Sequence, residues 1–345
     1  MYLAVKELLF SKWKYSLIIG FITLIAFLIY FLSGLAFGLA NNNRSAVDNW
    51  QAQQVYLTKY SNKNLLLSQI SPAQVTTPAD SVPLKVNNAV TEINKEKVDS
   101  TIFSIDSDSF IKPELSTGRF IDKSGEVVVD RSIDPENIHV GQKLKLNGHQ
   151  EQLKVVGITD DNRYNTLPVI YVDNSDYYAI FGSRNINGFI TQKAGAVKTD
   201  SELERISTNT LINNIPGYSA QVQTFTLMIA SLFIIVGFII AIFMYILTLE
   251  KLSIYGTMRA QGISTRRIVS SLLWQALIIG LTGVGIALLA NWITMLFLPA
   301  TVPFGANPWL ILIFSLGLIG AIILGTIFSI IKVVKIDPLE AVGGN

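Results

Sequence analysis

The chain has 345 residues, enough for two bodies of ordinary domain size. Half of the residues are hydrophobic, 15% are charged against roughly 25% in a soluble domain, and the net charge is only +2. Cysteine is absent, which excludes disulfides and thiol-ligated metal, and charge is missing from residues 15–43, 225–248 and 268–331, which excludes an ordinary soluble enzyme.

Residues 1–16 (MYLAVKELLFSKWKYS) are expected to form an amphipathic elbow on the cytoplasmic membrane surface. Leu3, Val5, Leu8 and Leu9 would face lipid; Lys6, Glu7, Lys12 and Lys14 would face water; Trp13 and Tyr15 suit the headgroup belt. Residues 17–40 are the first of four apolar runs long enough, at about 1.5 Å per residue, to cross a bilayer core of about 30 Å. That run is too long for a signal-peptide core of about 7–15 residues, so it is read as an uncleaved span. Gly34 and Gly38 form a G-x-x-x-G pair, a candidate for dimer or helix packing.

Residues 41–224 mix strand and helix signals and are expected to be an extracytoplasmic α/β domain. Residues 143–146 alternate, Asn147-Gly148 supplies a type I′ turn, and residues 153–156 return as a second strand. Residues 126–129 and 168–172 are further strand candidates. Residues 201–210 (SELERISTNT) open like a capped helix, Ser201 being followed three residues later by Glu204. The polar stretch 61–100, with three prolines between 72 and 83, reads as a loop or peripheral subdomain. His139 and His149 lack further ligands nearby, and the pairs Asp106/Asp108 and Asp160/Asp161 read as solvated charges, so no metal site is expected. No nucleophile motif is present, and the chain is not expected to be an enzyme.

The second span is 225–249, followed by a coupling segment at 250–268 that bends near Gly256 or Gly262. The third span, 269–298, and the fourth, 309–331, flank an uncharged outer loop at 299–308; residues 332–345 form a tail. Gly280, Gly283 and Gly285 thin one side of the third span, and Gly317, Gly320 and Gly325 do so in the fourth. With both termini inside, the inner segments carry nine bases and four acids, and the remainder eighteen bases and twenty-one acids. The excess of bases places both termini in the cytoplasm and residues 41–224 outside the cell membrane. No carboxylate, lysine, arginine or histidine lies within a span, so a proton- or sodium-coupled carrier lacks its usual group. There is no G-x-x-x-x-G-K-[ST] phosphate loop, so ATP-driven work requires a separate ATPase chain.

At two short segments the sequence resembles the MacB/FtsX superfamily of ABC-transporter permeases. Residues 253–263 (SIYGTMRAQGI) match the pattern after that family's second helix, and residues 337–341 (DPLEA) match its C-terminal motif. Thr117-Gly118-Arg119, Val127–Val129, Val140-Gly141 and Val155-Val156-Gly157 are similar to its outer core. Tyr255 stands where the family often has isoleucine. The resemblance implies a homodimer with two copies of an ABC ATPase that binds ATP and Mg, this chain binding no cofactor and no nucleic acid. It implies ATPase coupling through Tyr255, Gly256, Met258, Arg259, Ala260, Gly262, Asp337, Pro338, Leu339 and Glu340. Within the superfamily the chain is most similar to haem-exporter permeases of the HrtB type, which makes haem, or another amphiphile, the expected efflux substrate. Tyr30, Phe31, Phe37, Tyr218 and Met228 are the candidate haem contacts. The superfamily equally supports an alternative: an FtsX-like mechanotransmitter that activates an outer hydrolase or sensor and moves no substrate.

Overall fold

The computed structural model describes residues 2–73, 77–78, 80–149, 151–193, 202–299 and 301–334. The chain divides into two compact units: Met1–Phe37 with Gln223–Asn345, and Gly38–Val222.

The first unit begins with α1 (Tyr2–Phe10), a break at Ser11, and α2 (Lys12–Asp48), whose final turns belong to the second unit. Nothing in α2 breaks a helix, because its interior is Leu, Ile, Phe and Ala without proline. Arg44 closes its last turn with a forked pair to Asp48 at 2.6 and 2.7 Å, and Gln51, at φ 50°, turns the chain away.

The second unit contains β1 (Gln54–Thr58), β2 (Ser81–Ile93), β3 (Glu96–Ser104), β4 (Leu115–Gly118), β5 (Glu126–Asp130), β6 (Lys143–Leu146), β7 (Leu153–Thr159), β8 (Arg163–Tyr164) and β9 (Leu167–Val172). These lead to α3 (Asn174–Phe181), β10 (Gly188–Thr191), β11 (Leu203–Ser207) and α4 (Thr208–Asn213). They form one mixed sheet in the order β11-β1-β10-β2-β3-β9-β5-β7-β4, with β6 paired to β2 and β7, and β8 paired to β9. The β3–β9 and β5–β7 pairings are parallel, the others antiparallel.

Strand alternation divides the buried side chains between two cores. Val127, Val129, Ile102, Ile170 and Val155 point to one face with Tyr177. Their neighbours Val128, Phe103, Tyr171 and Val156 point to the other with Trp50, Tyr164 and Leu211. Phe103 is the hub of that face, its ring 6.0 Å from Trp50 and 5.9 Å from both Tyr164 and Tyr171.

Two expectations are corrected here. Residues 81–100 are not a loop: β2 and β3 form the longest hairpin of the sheet, turned at Asn94-Lys95 with φ 51° and 70°. Their polar side chains are spent on the ladder, for Thr91 bonds Ser100 at 2.5 Å and Thr101 donates to Asn88 at 3.1 Å. Nor is 201–210 a helix throughout, since Leu203–Ser207 is strand β11, paired along β1. The helix cap is Ser207, whose side chain accepts from the Thr210 amide at 3.1 Å. The Asn147-Gly148 turn is present, with both φ positive and the His149 amide donating to the Leu146 carbonyl at 2.9 Å.

The first unit is completed by α5 (Tyr218–Glu250), α6 (Leu252–Ala260), α7 (Thr265–Phe297) and α8 (Pro308–Val334). Four helices (α2, α5, α7 and α8) are long and apolar enough to cross a membrane. Helix contacts are made at some of the glycines singled out above. A Cβ on Gly325 would meet the Gly237 carbonyl oxygen at 2.7 Å, one on Gly283 the Ile22 side chain at 2.6 Å, and Gly280 and Gly317 lie against Ile322 and Phe233. Gly285 and Gly320 face open space.

Candidate functional site

At one end of the helical unit α6 stands between two breaks. Lys251 interrupts the run from α5, and Gln261–Ser264, with Gly262 at φ 84°, turns the chain into α7. The bend expected near Gly256 is absent, because Gly256 is buried inside α6. Tyr255, expected to contact an ATPase, points into the helical core at 1% exposure beside Met244 and Ile268. Burial pushes its phenol well above the ordinary range. Met258 is half-buried against the same cluster, Arg259 is half-buried, and Ala260 and Gly262 are exposed. The outward face of α6 is therefore Ser253, Ile254, Thr257 and Ala260, continued by Gln261, Gly262, Arg266 and Arg267. Ile254, 54% exposed, was not singled out above; its signal is the three-residue spacing to Thr257 opposite the Tyr255 face. Asp337, Pro338, Leu339 and Glu340 lie outside the described residues.

The elbow also differs from expectation. Glu7 does not face water; its carboxylate accepts from the Gln275 amide and lies 3.5 Å from the Lys251 ammonium, both charged side chains being 14% exposed. Lys14, by contrast, makes an exposed 2.6 Å pair with Glu250. That pair caps an apolar groove of about 340 Å³ lined by Trp13, Leu17, Ile18, Phe243, Ile246 and Leu247.

At the other end of the same unit, Tyr30, Ser33, Gly34, Phe37, Asn291 and Phe304 surround a cavity of about 10 Å³. The hydroxyl of Tyr30, a residue 1% exposed, meets Ser315 Oγ at 2.7 Å, and the Ser315 hydroxyl donates a hydrogen bond to the Ile311 carbonyl. The far edge of the Phe304 ring lies against Gly34, where a Cβ would collide with it, and the Gly305 amide donates to the Gly34 carbonyl at 3.0 Å. Phe31 stacks between Phe27 and Phe304 at 5.9 and 5.8 Å. Tyr30, Phe31 and Phe37 are thus gathered at one place. Met228 is apart from them, on the exposed side of α5 at 48% exposure. Tyr218 belongs to the second unit, buried in its core and bonded by Arg44 at 3.4 Å. Gly38 is buried in α2, also in the second unit. Among the described residues no group of three or more His, Cys, Asp or Glu side chains is placed to hold a metal, and His139 and His149 are exposed.

Residues 226–338, which contain most of α5 and all of α6 to α8, match the FtsX-like permease C-terminal family. Over the whole of both chains the sequence is 29% identical to a protein of Staphylococcus epidermidis named "Putative hemin transport system permease protein HrtB". A protein of Staphylococcus haemolyticus with the same name is 26% identical over all of this chain and 99% of its own. Among solved structures, the periplasmic region of MacB from Actinobacillus actinomycetemcomitans aligns at a TM-score of 0.35 and 10% identity, covering 48% of this chain and 92% of that one. Among the described residues the chain thus has four membrane-length helices with a mixed-sheet domain inserted between the first two, a stretch that matches the FtsX-like permease C-terminal family, and a similarity from end to end to permeases named HrtB.

Proposed function

We propose that this chain is the permease of an ATP-driven exporter that works as a homodimer with two copies of a separate ABC ATPase. In this reading α6 and both termini are cytoplasmic, residues 41–224 lie outside, and the cargo is haem or a similar amphiphile taken from the outer leaflet. The carrying observation is α6 itself. A nine-residue helix between two backbone breaks turns one face into the helical core and presents Ser253, Ile254 and Thr257 outward, which is a shape suited to being pushed by a second protein. The names of the full-length relatives support haem as cargo. The cavity at Tyr30, about 10 Å³, is far smaller than the roughly 300–1,000 Å³ of small-molecule pockets, so haem would use it only with surface from a second copy or after the Phe304 loop lifts. That small size also favours the alternative of a mechanotransmitter that moves no cargo.

The test is reconstitution of the chain with its ATPase in vesicles, reading ATP turnover and haem movement together. Arg259→Glu, which reverses charge beside the outward face, is expected to keep the fold and lower the coupled activity about tenfold or more. Unchanged ATPase stimulation by the variant would refute the docking face. Stimulation without haem movement in the parent protein would favour mechanical signalling.

A further inference from the structure

We propose that Glu7 and Lys251 form a latch that makes α1 a moving part of the coupling apparatus, so that displacement of α6 is passed to α1, α2 and α7 together. The inference rests on the reading of α6 as the pushed element.

The latch is a closed set of side chains in an apolar setting. Lys251 lies 3.5 Å from the Glu7 carboxylate, donates to the Tyr15 hydroxyl at 3.1 Å, and stands 5.4 Å from the Tyr15 ring centre. Tyr15 in turn donates to Gln275 Oε1 at 2.9 Å, and the Gln275 amide donates back to Glu7 and toward Ser271 Oγ at 3.4 Å. The Tyr255 phenol lies close to the same Gln275. Tyr15, Tyr255, Ser271 and Gln275 are between 1% and 4% exposed. Four helices and the break before α6 therefore meet at one polar knot, enclosed by residues such as Leu8, Ile18, Ile268 and Leu272.

Anchoring α1 on a membrane surface needs none of this, since apolar side chains on one face suffice. Nor does stability require it, because a buried ion pair seldom outperforms well-packed apolar residues of similar size. What the pair adds is direction: a salt bridge and two-sided amide bonds hold one register, whereas an apolar contact slides. Because Lys251 sits on the break itself, it is the side chain through which a nine-residue helix conveys displacement to its neighbours.

The experiment compares the parent chain, Glu7→Gln/Lys251→Met, and the exchanged pair Glu7→Lys/Lys251→Glu, each purified with its ATPase in nanodiscs. The neutral double variant is expected to assemble and melt like the parent yet lose about tenfold in ATPase stimulation, with the exchanged pair recovering part of the loss. Hydrogen exchange over residues 4–10 is read in the same samples without ATPase, and is expected to speed up about tenfold in Lys251→Met. Full coupling in the neutral variant overturns the latch, as does unchanged exchange in Lys251→Met. If the parent chain itself fails to stimulate the ATPase, it is the proposed function that falls, and the exchange measurement still decides whether α1 is held by Lys251.

Discussion

The crossing of α5 and α8 offers a sharp test of how this helical unit is held together. Gly325→Ala places a methyl 2.7 Å from the Gly237 carbonyl oxygen and 3.1 Å from the Ala241 amide nitrogen, both backbone atoms that no rotamer change can move. The helices cannot part freely, because Ser329 bonds Thr248 and donates to the Met244 carbonyl at 3.0 Å. Overpacking of this kind costs about 1–3 kcal/mol, while alanine recovers about 1 kcal/mol of helix propensity over glycine. The net expectation is a loss of up to about 2 kcal/mol. Gly320→Ala, in the same helix, has nothing within 4 Å of the new methyl and is expected to be neutral or gain up to about 1 kcal/mol. Unfolding of the full chain in mild detergent, by denaturing-detergent titration under matched conditions, measures both. Equal stability of the two variants would show that the α5–α8 approach is not as close as described.

Two further outcomes concern the sheet domain. Hydrogen bonds from Arg119, with help from the Asp122 amide, hold the Glu126 carboxyl at about 2, below its ordinary 4.5. A lowered folded value means that the contribution is present above about pH 4.5 and is lost as pH falls through about 2. Glu126→Gln should therefore weaken the domain near neutral pH and leave it unchanged in strong acid; an equal effect at both would refute the assignment, read by protease susceptibility of residues 38–222. Asn187, 2% exposed, accepts from the Val86 amide at 2.7 Å and donates to the Leu65 and Ser68 carbonyls. Asn187→Ala strands these groups and is expected to cost about 2–4 kcal/mol, seen as faster hydrogen exchange in β2; protection equal to the parent's would count against it.

The spans were legible because bilayer thickness imposes a length and charge is costly within it; nothing about Leu17 or Trp309 in particular had to be known. The strands at 126–129 and 168–172 were legible for a related reason, being near-continuous Val and Ile runs buried on both faces. The β2–β3 hairpin was hidden because its interior carries Asn87, Asn88, Thr91, Ser100 and Thr101, residues that signal a loop when their cross-strand partners are unknown. Ser201 and Glu204 have the spacing of a capping box, but pairing with β1 outweighs that local preference, and the cap falls six residues later. At the candidate site, Gly262 as a helix stop could be read from its residue type, whereas the inward turn of Tyr255 could not, because it depends on where Gln275 lies. Glu7 and Gln275 are 268 positions apart, so no spacing rule connects them. Of the six glycines marked in the third and fourth spans, Gly280, Gly283, Gly317 and Gly325 meet a neighbour and two do not, since small size permits an approach without saying from which side it comes.

The ring of Phe304 on Gly34 has a consequence for assembly. The notch that a small residue leaves on α2 is already filled from within the same chain, and the Gly305–Gly34 bond ties the filling down. A second protomer of the proposed dimer, arriving along α2 at that height, would meet the Phe304 ring instead of bare backbone. In the homodimer proposed above, close docking there would require the connection between α7 and α8 to swing clear, which would make subunit contact and the opening of the Tyr30 cavity one event with a shared cost.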